Sequence, residues 1–315
     1  MTSINTNTSA MTALQSLSMI NSSLDETQNR ISTGYRVGAA SDNAAYWSIA
    51  TTMRSDNKAL GAVEDALGLG QAKVDTAYTG MTAAIDVVDE IKSKLVAARE
   101  PGVDKSKIQA EISELQGQLG SIASSASFSG ENWLSTKSDA VGYTATKAIV
   151  ASFNRDSAGT VSVGTIAIDT SKTKLFDSAA DAATSGTGIL DGVYDATSGA
   201  LLADQTAAGF TISGLDVDGA TDAEVDGFIK GVDTALKAMT TAASNLGAAK
   251  SRMDVQSEFV SNLRDSIEKG VGTLVDADMT EESTRLKALQ TQQQLGVQAL
   301  SIANNSSQSL LSLFR

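Results

Sequence analysis

The sequence has no cysteine and no histidine. Without cysteine there is no disulfide framework, no thiolate zinc site and no thiol nucleophile. Without histidine the usual general base and the commonest metal ligand are missing. A single proline, Pro101, interrupts 315 residues. Long helices therefore meet almost no residue that removes a backbone donor and clashes with the preceding turn. Aromatic residues make up only 4% of the chain. A core so poor in rings must rest on Leu, Ile, Val, Ala and Met, which suits helix packing better than a ligand pocket. Positive charge is scarce too: the net charge of −13 argues against nucleic acid, whose phosphates call for clustered Lys and Arg. No apolar run is long enough to span a bilayer. The first basic residue is Arg30, so the start lacks the basic n-region and apolar core of a cleaved secretory signal. The expectation is a protein kept in the cytoplasm or exported without signal cleavage.

What is present is patterned. Residues 1–29 carry only Asp25 and Glu26 as charges, and residues 288–315 only Arg315. In the first of these segments Ala10, Leu17, Leu24 and Ile31 recur every seven residues, with Ala13 and Ile20 three residues after the first two. Leu14 and Met11 widen the stripe. In the second, Leu289, Ala303 and Leu310 share one register, and Leu286, Leu300 and Phe314 share another. Heptad spacing keeps one face toward a partner helix. Glutamines and asparagines fill the other faces, and amides can be buried by hydrogen bonding without desolvating a charge. Both ends therefore read as helical assembly segments, poorly ordered alone and ordered when neighbours bury their stripes.

Between the ends lie three further helical stretches. Apolar positions Val74, Ala77, Met81, Ile85, Val88, Ile91 and Leu95 belong to one running from about residue 43 to 99. Such a helix is roughly 85 Å long. Pro101-Gly102 ends it, and Asp104 or Ser106 starts the next, whose stripe is Ile108, Ile112, Leu115, Leu119 and Ile122. A late helix carries Val232, Leu236, Met239, Ala243, Leu246, Met253, Val260, Ile267 and Leu274. Residues 138–225 differ, being rich in Gly, Thr, Ser, Ala and Asp. Short runs at 144–153, 160–168 and 210–212 predict strands separated by turn residues. The fold class is mainly α with a β-rich insertion: antiparallel coiled-coil-like rods drawn from both halves of the chain, plus a small α/β or all-β outer domain. Asp216, Asp218, Asp222, Glu224 and Asp226 lack the EF-hand pattern and read as a solvated turn and helix start. No catalytic, cofactor-binding or metal-binding residue is nominated.

Four segments resemble the flagellin family. Ile31-Ser32-Thr33-Gly34-Tyr35-Arg36-Val37-Gly38-Ala39-Ala40-Ser41-Asp42-Asn43-Ala44-Ala45, followed by Tyr46 to Ala50, resembles its spoke between inner and outer tubes. Ser127 to Leu134 is similar to its hairpin entry, with Ser129 where Asn is usual. Asp276 to Thr284 resembles the acidic stretch before its last helix, and Leu310 to Arg315 its ending. The wording of 46–50 and 129–133 is most similar to flagellins of soil α-proteobacteria. The resemblance covers about 1–137 and 226–315.

It implies a structural subunit that polymerises into the flagellar filament for swimming, with no enzymatic role. Implied partners are further copies or related flagellins, the export apparatus and a chaperone, the filament cap and hook-associated proteins, with neither nucleic acid nor membrane. The implied location is extracellular, in the flagellum, after export without a cleaved signal. The implied parts are 1–44 as inner-tube helix and spoke, 45–137 and 226–274 as rod halves, 138–225 as surface domain and 275–315 as the second inner-tube helix. The implied inner-tube residues are Leu14, Leu17, Ile20, Leu24, Ile31, Leu286, Leu289, Leu300, Ala303, Leu310 and Phe314. Gly34, Arg36, Asp42 and Asn43 would make spoke and rod contacts, with Arg36 and Asp42 as candidates for an ion pair.

The stretch matching the family's innate-receptor face, with Glu90, Lys92 and Lys94, has no arginine, which weighs against receptor activation. The rival readings are a hook–filament junction protein, a type III needle or translocator protein, and a filament subunit with a glycan-acting enzyme in its insertion. Needle subunits are far shorter, translocators need apolar spans, and the spoke segment favours the filament subunit over the junction protein. An insertion metalloprotease would need histidine ligands.

Overall fold

The computed structural model describes residues 7–178, 188–202 and 209–313, with side chains through residue 305. Five helices dominate: α1 (Thr8–Thr33), α2 (Ala44–Ala98), α3 (Lys105–Ser125), α4 (Asp222–Val275) and α5 (Met279–Leu313). Among the described residues, six strands lie between α3 and α4: β1 (Ser127–Phe128), β2 (Glu131–Asn132), β3 (Ser135–Thr136), β4 (Thr146–Arg155), β5 (Val161–Asp169) and β6 (Phe176–Asp177). The chain divides into two compact units, one of residues 1–58 and 263–315, the other of residues 59–262.

Side-chain oxygens set the helix starts. Asn7 accepts from the Ala10 N–H at 3.0 Å and Asn43 from the Tyr46 N–H at 3.1 Å. Asp104 starts α3 by accepting from the Ser106 N–H. Thr221 and Glu224 form a capping box before α4: the Glu224 carboxylate accepts the Thr221 N–H at 2.7 Å while the Thr221 hydroxyl accepts the Glu224 N–H. Asp278 opens α5 through the Thr280 N–H. Its carboxyl is held below the usual range by the backbone N–H of Thr280 and then of Glu281.

In the unit of residues 59–262 the buried stripe of α2 runs Leu60, Val63, Leu67, Val74, Ala77, Met81, Ala84, Val88, Ile91, Leu95 and Ala98. On α4 it runs Val225, Val232, Ala235, Met239, Ala242, Leu246, Met253 and Val260. The alternation of three and four residues passes through Ala84, Ala235 and Ala242, while the expected Ile85, Leu236 and Ala243 are only half-buried. At these three points a small alanine occupies the seam, which favours close packing of the helices, and Ile85, Leu236 and Ala243 flank it. Ile108, Ile112, Leu119 and Ala123 bury the inner face of α3.

The long strands β4 and β5 form an antiparallel hairpin with a bulge between Val150 and Ser152. Their turn is organised by Asp156, whose carboxylate accepts the N–H groups of Ala158 and Thr160. Ile149, Ala151, Ile166 and Ile168 bury one face of the hairpin. Helix glycines receive the β-region: a Cβ at Gly70 would lie 2.5 Å from Ile149 Cγ2, and one at Gly80 2.7 Å from Leu134 Cδ1. The Glu131 carboxylate gathers Lys73 at 2.5 Å and Lys147 at 2.9 Å, tying α2, β2 and β4 together.

The strand expected at 210–212 does not form. Phe210 makes an isolated bridge with Tyr194, because the Tyr194 hydroxyl donates to the Ile189 carbonyl and its ring packs toward Phe210. That arrangement fixes a loop rather than a ladder. A buried ion pair, Lys174–Asp177 at 2.5 Å, sits nearby, and the Asp177 N–H donates to the Asp191 carboxylate. Burial pushes the Asp191 carboxyl up.

Candidate assembly surface

In the unit of residues 1–58 and 263–315, α1 and α5 pair antiparallel. Asn7 Nδ2 donates to the Ala303 carbonyl at 3.1 Å, Gln293 Nε2 to Asn21 Oδ1 at 2.7 Å, and Arg30 Nη1 to Glu282 Oε1 at 3.2 Å. Partner numbers fall along α5 as they rise along α1. The seam on α1 holds Leu17, Ile20, Leu24, Thr27 and Ile31; that on α5 holds Glu282, Leu286, Leu289, Gln293, Gly296, Leu300 and Ala303. Both sets alternate three and four, the knobs-into-holes spacing. Gly296 faces Leu17, with 3.4 Å from a hypothetical Cβ to Leu17 Cδ1.

The seam does not use up the apolar residues of these helices. Leu14 stays 55% exposed, and Met11 and Met19 are more so. On α5, Leu295, Val297 and Ile302 are 54% to 70% exposed. Leu14, expected to widen the stripe, faces away from the α1–α5 seam, whose heptad spacing admits Leu17 and Ile20 and turns position 14 outward. Phe314 lies outside the described residues, as does the side chain of Leu310.

The spoke between α1 and α2 is tied down by backbone. Gly34 adopts φ +75° and its N–H donates to the Arg30 carbonyl, the left-handed helix end that glycine provides without a Cβ penalty. The Arg36 and Val37 N–H groups donate to the Val275 carbonyl at 2.7 and 3.2 Å, the Ala277 N–H donates to Gly34, and the Arg36 guanidinium donates to the Leu274 carbonyl at 2.9 Å. The Arg36 and Val37 donors satisfy carbonyls that the end of α4 leaves without helical partners. Asp42 accepts the Gly38 and Ala39 N–H groups, both at 2.9 Å. The Ala39 donor, then the Gly38 donor, holds the Asp42 carboxyl below the usual range. The candidate Arg36–Asp42 ion pair therefore does not form: the guanidinium caps a helix end and the carboxylate closes its own turn. Asn43 caps α2. Beneath the spoke Val37, Ala50, Val271 and Val275 form a small core with Met53, Ile267 and Leu274 around it.

In the other unit, Lys92 pairs with Asp233 and Lys94 with Glu111, both at 2.6 Å, while Glu90 is exposed. The acidic group after residue 215 is dispersed among separate partners. Asp216 accepts the Asp218 N–H, Asp222 and Asp226 hold Arg99, and Glu224 serves the capping box. Among the described residues no group of acidic side chains is placed to hold a metal ion.

Sequence reasoning missed the helix glycines beneath the β-region and the outward-facing aromatics at the start of α2. Tyr46, Trp47 and Ile49 are 38% to 48% exposed. The available signal was a run without charge from Asn43 to Met53.

Two family models match the chain: the bacterial flagellin N-terminal helical region over residues 4–139 and the bacterial flagellin C-terminal helical region over residues 229–314. The chain belongs to the bacterial flagellin family. It is 55% identical to flagellin C and 48% identical to flagellin A of Rhizobium meliloti, and 50% identical to a flagellin of Brucella melitensis, with the whole of each chain covered. It is accordingly a structural subunit that polymerises into the flagellar filament, and neither comparison supports the hook–filament junction reading. The matched regions take in α1, α2 and α3 at one end and most of α4 with α5 at the other. The strand-bearing middle from β4 onward lies outside both.

Proposed function

We propose that the faces of α1 and α5 left open by their mutual pairing are the surfaces that neighbouring subunits cover in the filament. One observation carries this reading. Six large apolar side chains, Met11, Leu14, Met19, Leu295, Val297 and Ile302, stay more than half exposed on two helices that are almost free of charge there. Exposed apolar surface of that extent marks an interaction site, and missing charges remove the desolvation cost of burying it. Residues 1–44 and 275–315 then form the inner layer, and 45–137 with 226–274 the rod around it. Residues 138–225 form the outer surface.

The same reading brings in the export apparatus with a chaperone, the filament cap and hook-associated proteins, and export to the cell exterior without a cleaved signal. Absence of cysteine supports passage in an unfolded state, because no disulfide has to be opened. A purely structural role without catalysis fits a chain that has no histidine or cysteine.

Removing residues 1–20 or 296–315 tests it. The truncated chains are expected to form no filaments by electron microscopy, while retaining the helical circular dichroism of the unit of residues 59–262. Normal filaments from either truncation would sink the assignment.

A further inference from the structure

The outward face at the start of α2 is a second apolar surface, separate from the terminal helices. Every residue from Gly38 to Ile49 is exposed, and residues 43–53 carry no charge. Ala50, 1% exposed, already commits the inner side of this turn to the small core with Val37, Val271 and Val275. Tyr46, Trp47 and Ile49 therefore face outward, at 42%, 38% and 48% exposure. Isolated exposed apolar side chains are ordinary. Three large ones within four residues on an uncharged helix start are an unpartnered face.

A second exposed apolar face lies on α4. Phe259 is 57% exposed, the most exposed aromatic ring among the described residues, and Val255 one turn before it is 67% exposed. Met253 and Val260 fill the inner side of the same turns at 0% and 1%. The surroundings differ in charge. Asp254 and Glu258 directly precede Val255 and Phe259, with Arg252 offsetting one of them. The stripe that begins at Trp47 continues, seven and eleven residues on, with Arg54 and Lys58.

The chain polymerises, and an open helical polymer needs heterologous contacts, in which one patch meets a different patch on the next copy. We propose that Tyr46, Trp47 and Ile49 of one subunit dock against Val255 and Phe259 of another subunit in the filament, with the flanking cations of the first face set against the carboxylates of the second. This inference rests on the polymerisation of the chain but not on the assignment of the terminal helices.

Trp47 is its own reporter. The chain has two tryptophans, and the other, Trp133, is 3% exposed. In a Trp133→Phe variant, Trp47 emission is expected to shift to the blue on assembly and to lose most of its acrylamide quenching. The partner is identified with cysteines, which the native chain lacks. Trp47→Cys and Phe259→Cys chains, purified separately, are mixed, co-assembled and oxidised. A disulfide-linked dimer is expected from the mixture and from neither variant alone. Should either variant fail to assemble, Ser48→Cys and Glu258→Cys, at exposed neighbouring positions, take their place. Filaments in which Trp47 stays as quenchable as in the monomer overturn the contact and leave the terminal-helix reading standing. Protection of Trp47 without a mixed dimer overturns Val255 and Phe259 as the partner face.

Discussion

The helix glycines give the sharpest test of the packing, because one chemical change is expected to act with opposite signs at different sites. In a helix interior alanine is more favourable than glycine by about 0.8–1.0 kcal/mol. Gly117 and Gly120 of α3 are exposed, and nothing lies within 4 Å of a Cβ at either. Gly117→Ala and Gly120→Ala should each return that full gain. For a unit of roughly 200 residues this is a rise in Tm of about 2–4 °C per substitution.

At Gly70 a Cβ would lie 2.5 Å from Ile149 Cγ2. The obstacle is a side chain that can shift, so an overpacking cost of about 1–3 kcal/mol should cancel or slightly outweigh the helical gain. At Gly227 the Cβ would fall on the backbone carbonyl of Ala196. That carbonyl belongs to a loop tied by the Asp195 carboxylate to the Thr197 N–H at 2.8 Å, so relief requires moving main chain. Gly227→Ala should therefore lose at least about 1–2 kcal/mol net of the helical gain. Thermal unfolding of the monomers by far-UV circular dichroism measures all four. The order expected is Gly117 and Gly120 variants above wild type, Gly70 near or just below it, and Gly227 clearly lowest. A Gly227→Ala protein as stable as Gly117→Ala would refute the packing of the loop at Ala196 on α4.

Two other substitutions probe single interactions. Ser129 sits at φ +53° and Gly130 at φ +79° between β1 and β2, the two positive φ values a type I′ turn requires. Asparagine tolerates that region better than serine, so Ser129→Asn should stabilise by about 0.5–1 kcal/mol; an unchanged or lowered urea midpoint would contradict it. Asp233 bonds Lys237 and Lys92, each at 2.6 Å. Chiefly the Lys237 bond, then the Lys92 bond, takes its carboxyl from 3.8 down to about 2. A depressed acid contributes stability above its unfolded pKa and loses it as pH falls through the folded value. Asp233→Asn should thus be less stable than wild type at neutral pH, with the gap closing between about pH 4 and pH 2; a gap that persists at the acid end would show that the ion pairs are not its source.

Much of the helical framework was legible before any coordinates. Pro101 and Gly102 mark the break between α2 and α3, a start near residue 43 was legible for α2, and Asp104 was one of two candidates for the start of α3. The seven-residue recurrences at 10, 17, 24 and 31 identify the face of α1 that meets α5. These signals are local: capping, proline geometry and heptad spacing act within one or two turns of one helix. The two long strands were legible for the same reason, as β-branched runs bounded by turn residues. Even there the choice between neighbouring positions was not. Ala84, rather than Ile85, lies on the seam because three–four alternation, not side-chain size, sets which residue faces the partner helix.

Nearly charge-free ends, the absence of cysteine and histidine and the four family segments were enough, from sequence by itself, to specify a polymerising helical subunit. Tertiary structure decided which atoms meet across the chain. It set Gln293 on Asn21, turned Leu14 away from the seam, sent the Arg36 guanidinium to the Leu274 carbonyl instead of to Asp42, and used Gly70 as a seat for the β4–β5 hairpin and Gly227 as one for the loop at Ala196. Each of those outcomes depends on the separation of segments far apart in sequence. A pattern of residue types along one helix carries its own periodicity, but it carries no distance to the element packed against it.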